Sequence, residues 1–138
     1  MTKATKKVNY VLSDFFTKDI SEKATKMKLM YDDKDTGCFL MVKGIDAKSI
    51  QRARITAQVG YADAAEKSEV IKDKIDKAEF ERAQKERIEI NLALTLLDSW
   101  SFDDFNHENT EKLFKQNQGL AFAVIAHATT PGNYLVKK

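Results

Sequence analysis

An α+β fold, mainly α-helical, with an N-terminal β-hairpin packed on three to four helices is what this sequence predicts, and two observations carry the prediction. Met27, Leu29 and Tyr31 alternate with lysines and Met30 ahead of a turn-rich Asp32–Gly37 segment, the period-two pattern of a half-buried strand entering a hairpin. From Tyr61 to Gln118 there is no glycine or proline, so a long stretch lacks the residues that break helices. At 138 residues the chain reads as a single domain, 1–138, long enough to bury roughly two thirds of its unfolded surface.

Residues 1–10 read as a flexible polar arm ending at Val8 and Tyr10. Val11, Leu12, Phe15 and Phe16 form an apolar cluster expected to fix a short strand or turn to the core. The hairpin covers 24–43. Its second strand is Cys38–Val42, and Gly37 is expected to supply the positive φ near the turn. The helical region covers 46–128. Asp46 is placed to N-cap a helix carrying Ile50, Ala53 or Arg54, Ala57 and Tyr61 at spacings of three and four.

Between 63 and 89, 16 of 27 positions are charged. Asp63–Lys67, Asp73–Lys77 and Glu81–Lys85 are i,i+4 pairs that favour helix. Phe80, Ala83, Arg87, Ile90, Leu94 and Leu97 recur at threes and fours as a packing seam. A helix from about 68 to 97 would run roughly 45 Å, too long for a body of this size to cover, so part should project, bend or pack on another subunit. The break before it is expected at Gly60 or within Ala64–Ser68. Then Leu92–Leu97 runs into Trp100-Ser101-Phe102-Asp103-Asp104-Phe105, a helix–elbow–helix corner. Asn106 or Asn109 caps the second helix, on which Leu113 and Phe114 are apolar. Gln118-Gly119 reads as a helix stop, Leu120–His127 as an apolar core helix, and Thr130–Asn133 as its end.

A composition of 43% hydrophobic and 32% charged residues fits a globular chain rather than a disordered one. It contains no apolar run long enough to span a membrane and no secretory signal pattern near the N-terminus. Single Cys38 fits a reducing compartment, and the chain is read as cytoplasmic. The net charge of +2 argues little by itself, although residues 1–28 hold seven lysines against three acids.

No catalytic, cofactor-binding or metal-ligating residue is expected. His107 and His127 stand twenty residues apart, outside any metal spacing; His107 reads as first-turn and exposed, His127 as part-buried and structural. Cys38 reads as a small core hydrophobe. Asp32, Asp33 and Asp35 with Gly37 begin like a calcium loop, but Met41 and Lys43 occupy the ninth and twelfth positions, where that loop needs ligands. Asp103 and Asp104 are read as complementing a helix start rather than as a catalytic pair. Trp100, Phe102 and Phe105 are read as packing at the elbow rather than as a ligand cage. Met27, Met30 and Met41 are read as core filling, and the charged helix with its narrow seam as a place for a partner helix. The residues do not say which face binds.

The leucine-rich helix end Leu92–Leu97, then Trp100-Ser101-Phe102, then Glu108-Asn109, with Phe39–Asp46 and Ser49–Arg54 before and Gly119–Phe122 after, resembles the tail assembly chaperones of long-tailed bacteriophages. The likeness spans about 39–128, with His107 where relatives often carry proline, a residue favoured but not required in a first helical turn. The resemblance implies a non-enzymatic chaperone of the host cytoplasm that is absent from the mature virion. It would coat the tape measure protein, keep it soluble for tail tube polymerisation, and self-associate through helical surfaces. It also implies a longer frameshifted form that recruits the tail tube protein; the adjacent Lys137 and Lys138 are compatible with a slippery adenine run. Two rival classes are a virion structural protein for tail completion or head–tail joining, and a small nucleic-acid-binding regulator using Lys3, Lys6, Lys7 and Lys18. The regulator's affinity would fall steeply with salt.

Overall fold

The computed structural model describes residues 10–135. The arm up to residue 9 and Val136-Lys137-Lys138 lie outside the described residues. The architecture is α+β and mainly helical: a three-stranded antiparallel sheet in the order β1-β2-β3 packs against helices. In chain order the elements are α1 (Thr17–Ser21), β1 (Thr25–Tyr31), β2 (Lys34–Val42), α2 (Gln51–Glu69), α3 (Lys74–Leu96), β3 (Leu97–Trp100), α4 (His107–Gln116) and α5 (Gln118–Ala128).

The hairpin forms as predicted, with Met27 and Leu29 half-buried and the intervening lysines exposed, but Tyr31 at the strand end is 73% exposed. Its turn is tighter than predicted. Asp32 and Asp33, at φ 50 and 63, make a two-residue loop between the paired Tyr31 and Lys34, and positive φ at both positions matches the twist of the strands. Gly37 does have positive φ, at 82, but it lies in a bulge where the pairing slips between Lys28 and Met30. There Asp35 Oδ1 accepts from the Gly37 amide at 2.8 Å, and the Thr36 hydroxyl donates to Leu29 O at 2.6 Å.

The predicted elbow is in part a strand. α3 ends at Leu96, and β3 pairs Trp100 with Leu40 and Leu97 with Val42. That leaves β2 central and its Leu40 and Val42 fully buried. Around them gather Ala47, Ile50, Ile90, Ala93, Leu96, Phe114, Ala121 and Val124. The buried stripe of α3 is Ile88, Glu89, Ile90, Ala93 and Leu96. The predicted seam is therefore out of phase before Ile90, and Ala83 and Arg87 face solvent.

Three consecutive amides after β2 join the body together. Lys43 N–H donates to Leu96 O, Gly44 N–H to Ser21 O, and Ile45 N–H to Ala128 O, each at 2.9 Å. Those acceptors end α3, α1 and α5, so one short segment satisfies three helix-terminal carbonyls that lack intrahelical partners. Gly44 is required by the closeness of this junction: a Cβ there would lie 2.6 Å from Ser21 Cβ. The Tyr134 hydroxyl adds a bond to Val42 O at 2.8 Å.

Other boundaries also differ from the sequence reading. Asp46 does not cap α2; it pairs with Arg54 at 3.3 Å, and a 3₁₀ turn at Lys48–Ile50 leads into the helix. The long helix is divided at Val70–Asp73, where Asp73 caps α3 by accepting from Asp76 N–H; Gly60 and Ala64–Ser68 stay inside α2. Asp63–Lys67 forms its ion pair at 3.1 Å, whereas Asp73 serves as the cap and Glu81 accepts from the Ser68 hydroxyl. Asn106 caps α4, and Asn109 instead donates its side-chain N–H to Asp104 O. Asn117 rather than Gly119 separates α4 from α5, capping α5 through Leu120 N–H at 3.2 Å.

The N-terminal apolar cluster is not in the core. A 3₁₀ turn at Leu12–Phe15 precedes α1, and Val11, Leu12, Phe15 and Phe16 are all exposed.

Candidate functional surface

No helix among the described residues is long and apolar enough to cross a membrane, and no three of His, Cys, Asp and Glu gather among them to hold a metal. His107 is 77% exposed and 3.8 Å from Glu111. His127 is half-buried between α5 and β1, its Nε2 2.8 Å from Thr25 Oγ1 and its Nδ1 3.2 Å from Asn133 Nδ2. Desolvation pushes its pKa below the ordinary value. The amide N–H of Asn133 is a donor, so Nδ1 accepts and the Nε2 proton faces Thr25. That arrangement ties three elements together. Cys38 is half-buried in the hairpin bulge.

The acidic candidates are accounted for by backbone geometry. Asp32 and Asp33 form the hairpin turn, and Asp35 holds the bulge and an ion pair with Lys28. Asp103 and Asp104 lie ahead of the α4 cap rather than on it, with Asp104 at φ 54. Trp100 meets Phe102 and Phe105 edge-on at 5.5 and 5.4 Å, the arrangement favoured by aromatic quadrupoles. Its buried Nε1 has no hydrogen-bond partner among the described residues. Met27 and Met41 are half-buried, while Met30 is exposed at the hairpin tip. Lys18 is exposed on α1, and Lys3, Lys6 and Lys7 lie outside the described residues.

What remains is a surface on the helical arm made by α2 and α3. α2 packs chiefly on α3, whereas α3 also meets α4 and α5. Ser68 is the one buried residue of α2, and burial on α3 begins at Ile88. The first fourteen residues of α3 thus extend about 20 Å before reaching the core. At the arm's tip Val70 and Ile75 are 77% and 70% exposed. The two helices approach closely at Gly60, where a Cβ would lie 3.2 Å from Ile88 Cδ1.

On one side of that crossing the two helices leave an open groove of about 620 Å³, with Ala53, Ala57 and Gly60 of α2 facing Ile88 and Leu92 of α3. Val59 and Ile55, 62% and 51% exposed, continue the apolar strip over the outside of α2. Sequence reasoning placed Ala57 on a packed helix face but did not find the groove. The available signal was three small residues at i, i+4 and i+7, which let helices approach closely. No protein-family model, curated protein or solved structure matches the chain.

Proposed function

We propose that this chain is a non-enzymatic tail assembly chaperone of a long-tailed bacteriophage that binds the tape measure protein and keeps it soluble until the tail tube polymerises around it. The observation carrying the reading is the α2–α3 arm, a charge-rich helical hairpin with an exposed apolar strip and little burial before α3 reaches Ile88. An extended helical client needs this kind of contact: limited apolar area for modest affinity per site, charge around it for solubility, and release when tube subunits arrive. The sequence likeness at Phe39–Asp46, Leu92–Phe102 and Glu108–Asn109 supplies the identity of the client.

Co-expression with the tape measure protein of the same phage tests the reading. The expected result is that soluble tape measure protein increases and co-purifies with the chain, while purified virions lack it. If the tape measure protein is equally soluble and unbound with and without the chain, the reading falls. Stoichiometric presence in purified particles would instead identify a virion structural protein.

A further inference from the structure

We propose that the α2–α3 groove takes one amphipathic helix of a partner chain, whose apolar stripe is flanked by two carboxylates about eight residues apart. The inference deepens the chaperone reading and rests on it only for the identity of the natural partner.

The groove walls are helices whose backbone groups are satisfied internally, so no strand edge is offered for β-addition. Its floor around Ala57, Ile88 and Leu92 is apolar, and the lining hydroxyls of Ser49, Thr56 and Thr95 already donate hydrogen bonds within the chain. Small residues there allow a third helix to approach at the ordinary interaxial distance of 8–10 Å. A compact polar ligand would need several convergent donors and acceptors, whereas the conspicuous charges stand at the groove's two ends.

The charged lining residues are Arg52 and Asp63 on α2 and Arg87 on α3. Arg87 hydrogen-bonds neutral Gln84 at 2.7 Å. Neither guanidinium has a carboxylate partner among the described residues, and the nearby Asp63 is engaged by Lys67. Arg54, Lys43 and Lys115, by contrast, each pair with an acid of this chain. Gly60 crosses beside Ile88, so Arg87 stands level with the Gly60 turn of α2, about eight residues beyond Arg52. That separation is about 12 Å along the axis. The two arginines stand on opposite walls. Carboxylates at i and i+8 of an incoming helix are about 80° apart around its axis at 3.6 residues per turn, on either side of its apolar stripe. Each would meet a guanidinium fork suited to two parallel hydrogen bonds.

The test uses two labelled synthetic peptides of about five helical turns with the same leucine–alanine stripe. One carries Glu at i and i+8, the other Lys. Fluorescence anisotropy at low salt should show the Glu peptide binding about tenfold more tightly or better. Arg52→Glu with Arg87→Glu, both exposed positions, should reverse the preference without changing the far-ultraviolet circular dichroism. Ala57→Leu, which fills the floor, should weaken both peptides. Equal affinity for the two peptides, no binding by either, or an unchanged preference in the double variant overturns the inference. So does a dimer of the chain alone that the double reversal dissociates, since a second copy would then be the occupant. If the double variant still holds the tape measure protein soluble, the groove assignment falls and the chaperone reading stands. If the peptide preference holds and the tape measure protein is never bound, the groove stands and the chaperone reading falls.

Discussion

The sheet-centred body and the α2–α3 arm are held by different physics. In the body, Leu40, Val42, Leu96, Phe114 and Val124 are fully or almost fully buried, and the Lys43-Gly44-Ile45 junction ties three helix ends to the central strand. In the arm the attachments are mostly local and polar: the Ser68–Glu81 hydrogen bond, the Asp73 cap and the Asp63–Lys67 pair. Apolar packing grows only as α3 approaches the core at Ile88. The body therefore supplies most of the folding free energy, and the arm can carry exposed apolar side chains that a partner would cover. Local opening should be easier in the arm than in the body.

Phe114→Ala should break the body. It truncates a fully buried side chain in the middle of the core and should cost about 3–5 kcal/mol, read as a lower urea midpoint with loss of cooperativity in both regions. Gly44→Ala should cost less, about 1–3 kcal/mol, because its methyl group must displace the Ser21 end of α1. Thermal melts of the two variants rank them.

In the arm, Asp73→Ala removes the α3 cap and should cost about 1 kcal/mol. Its distinguishing result is faster amide exchange around 70–80 with the exchange of β2 unchanged. Equal acceleration in β2 would show instead that the arm and body unfold as one unit.

The smallest effects are those of pH, and they fall on the body's seams. Burial favours neutral His127, so the unfolded chain binds the proton more readily. Stability is full above about pH 6.5 and declines below it until the depressed folded pKa is passed. Glu22 is held below its ordinary pKa by the Ser49 hydroxyl, then by the Ser49 amide, with Lys43 adding to the effect. Its contribution is present above about pH 4.5 and is lost as pH falls through the lowered value. Urea midpoints for the wild type, His127→Gln and Glu22→Gln across that range should show each substitution flattening its own window.

Legibility in the sequence followed the same division. The hairpin was readable because Met27, Leu29 and the lysines alternate, and the last helix because its apolar run is nearly continuous. The turn was misplaced because Asp32-Asp33 adopts the geometry usually announced by Asn-Gly. β3 was missed because its four residues continue the leucine-rich end of α3 and become a strand only by pairing with β2. The arm's break was misplaced because Val70–Asp73 has no glycine or proline, and favourable charge pairs run on both sides of it. The exposed cluster from Val11 to Phe16 shows that apolar character alone does not determine burial. The groove was hidden for a related reason: Ala53, Ala57 and Gly60 form a floor only once α2 lies against Ile88 and Leu92, and Arg52 and Arg87 mark its ends only in that pose.

Hydrogen exchange of the chain with and without the tape measure protein tests the central claim most directly. Protection is expected at residues 49–63 and 87–95, with β1 and β2 unchanged. Protection confined to the sheet or to α5, or no protection in a demonstrably formed complex of the two proteins, would contradict it.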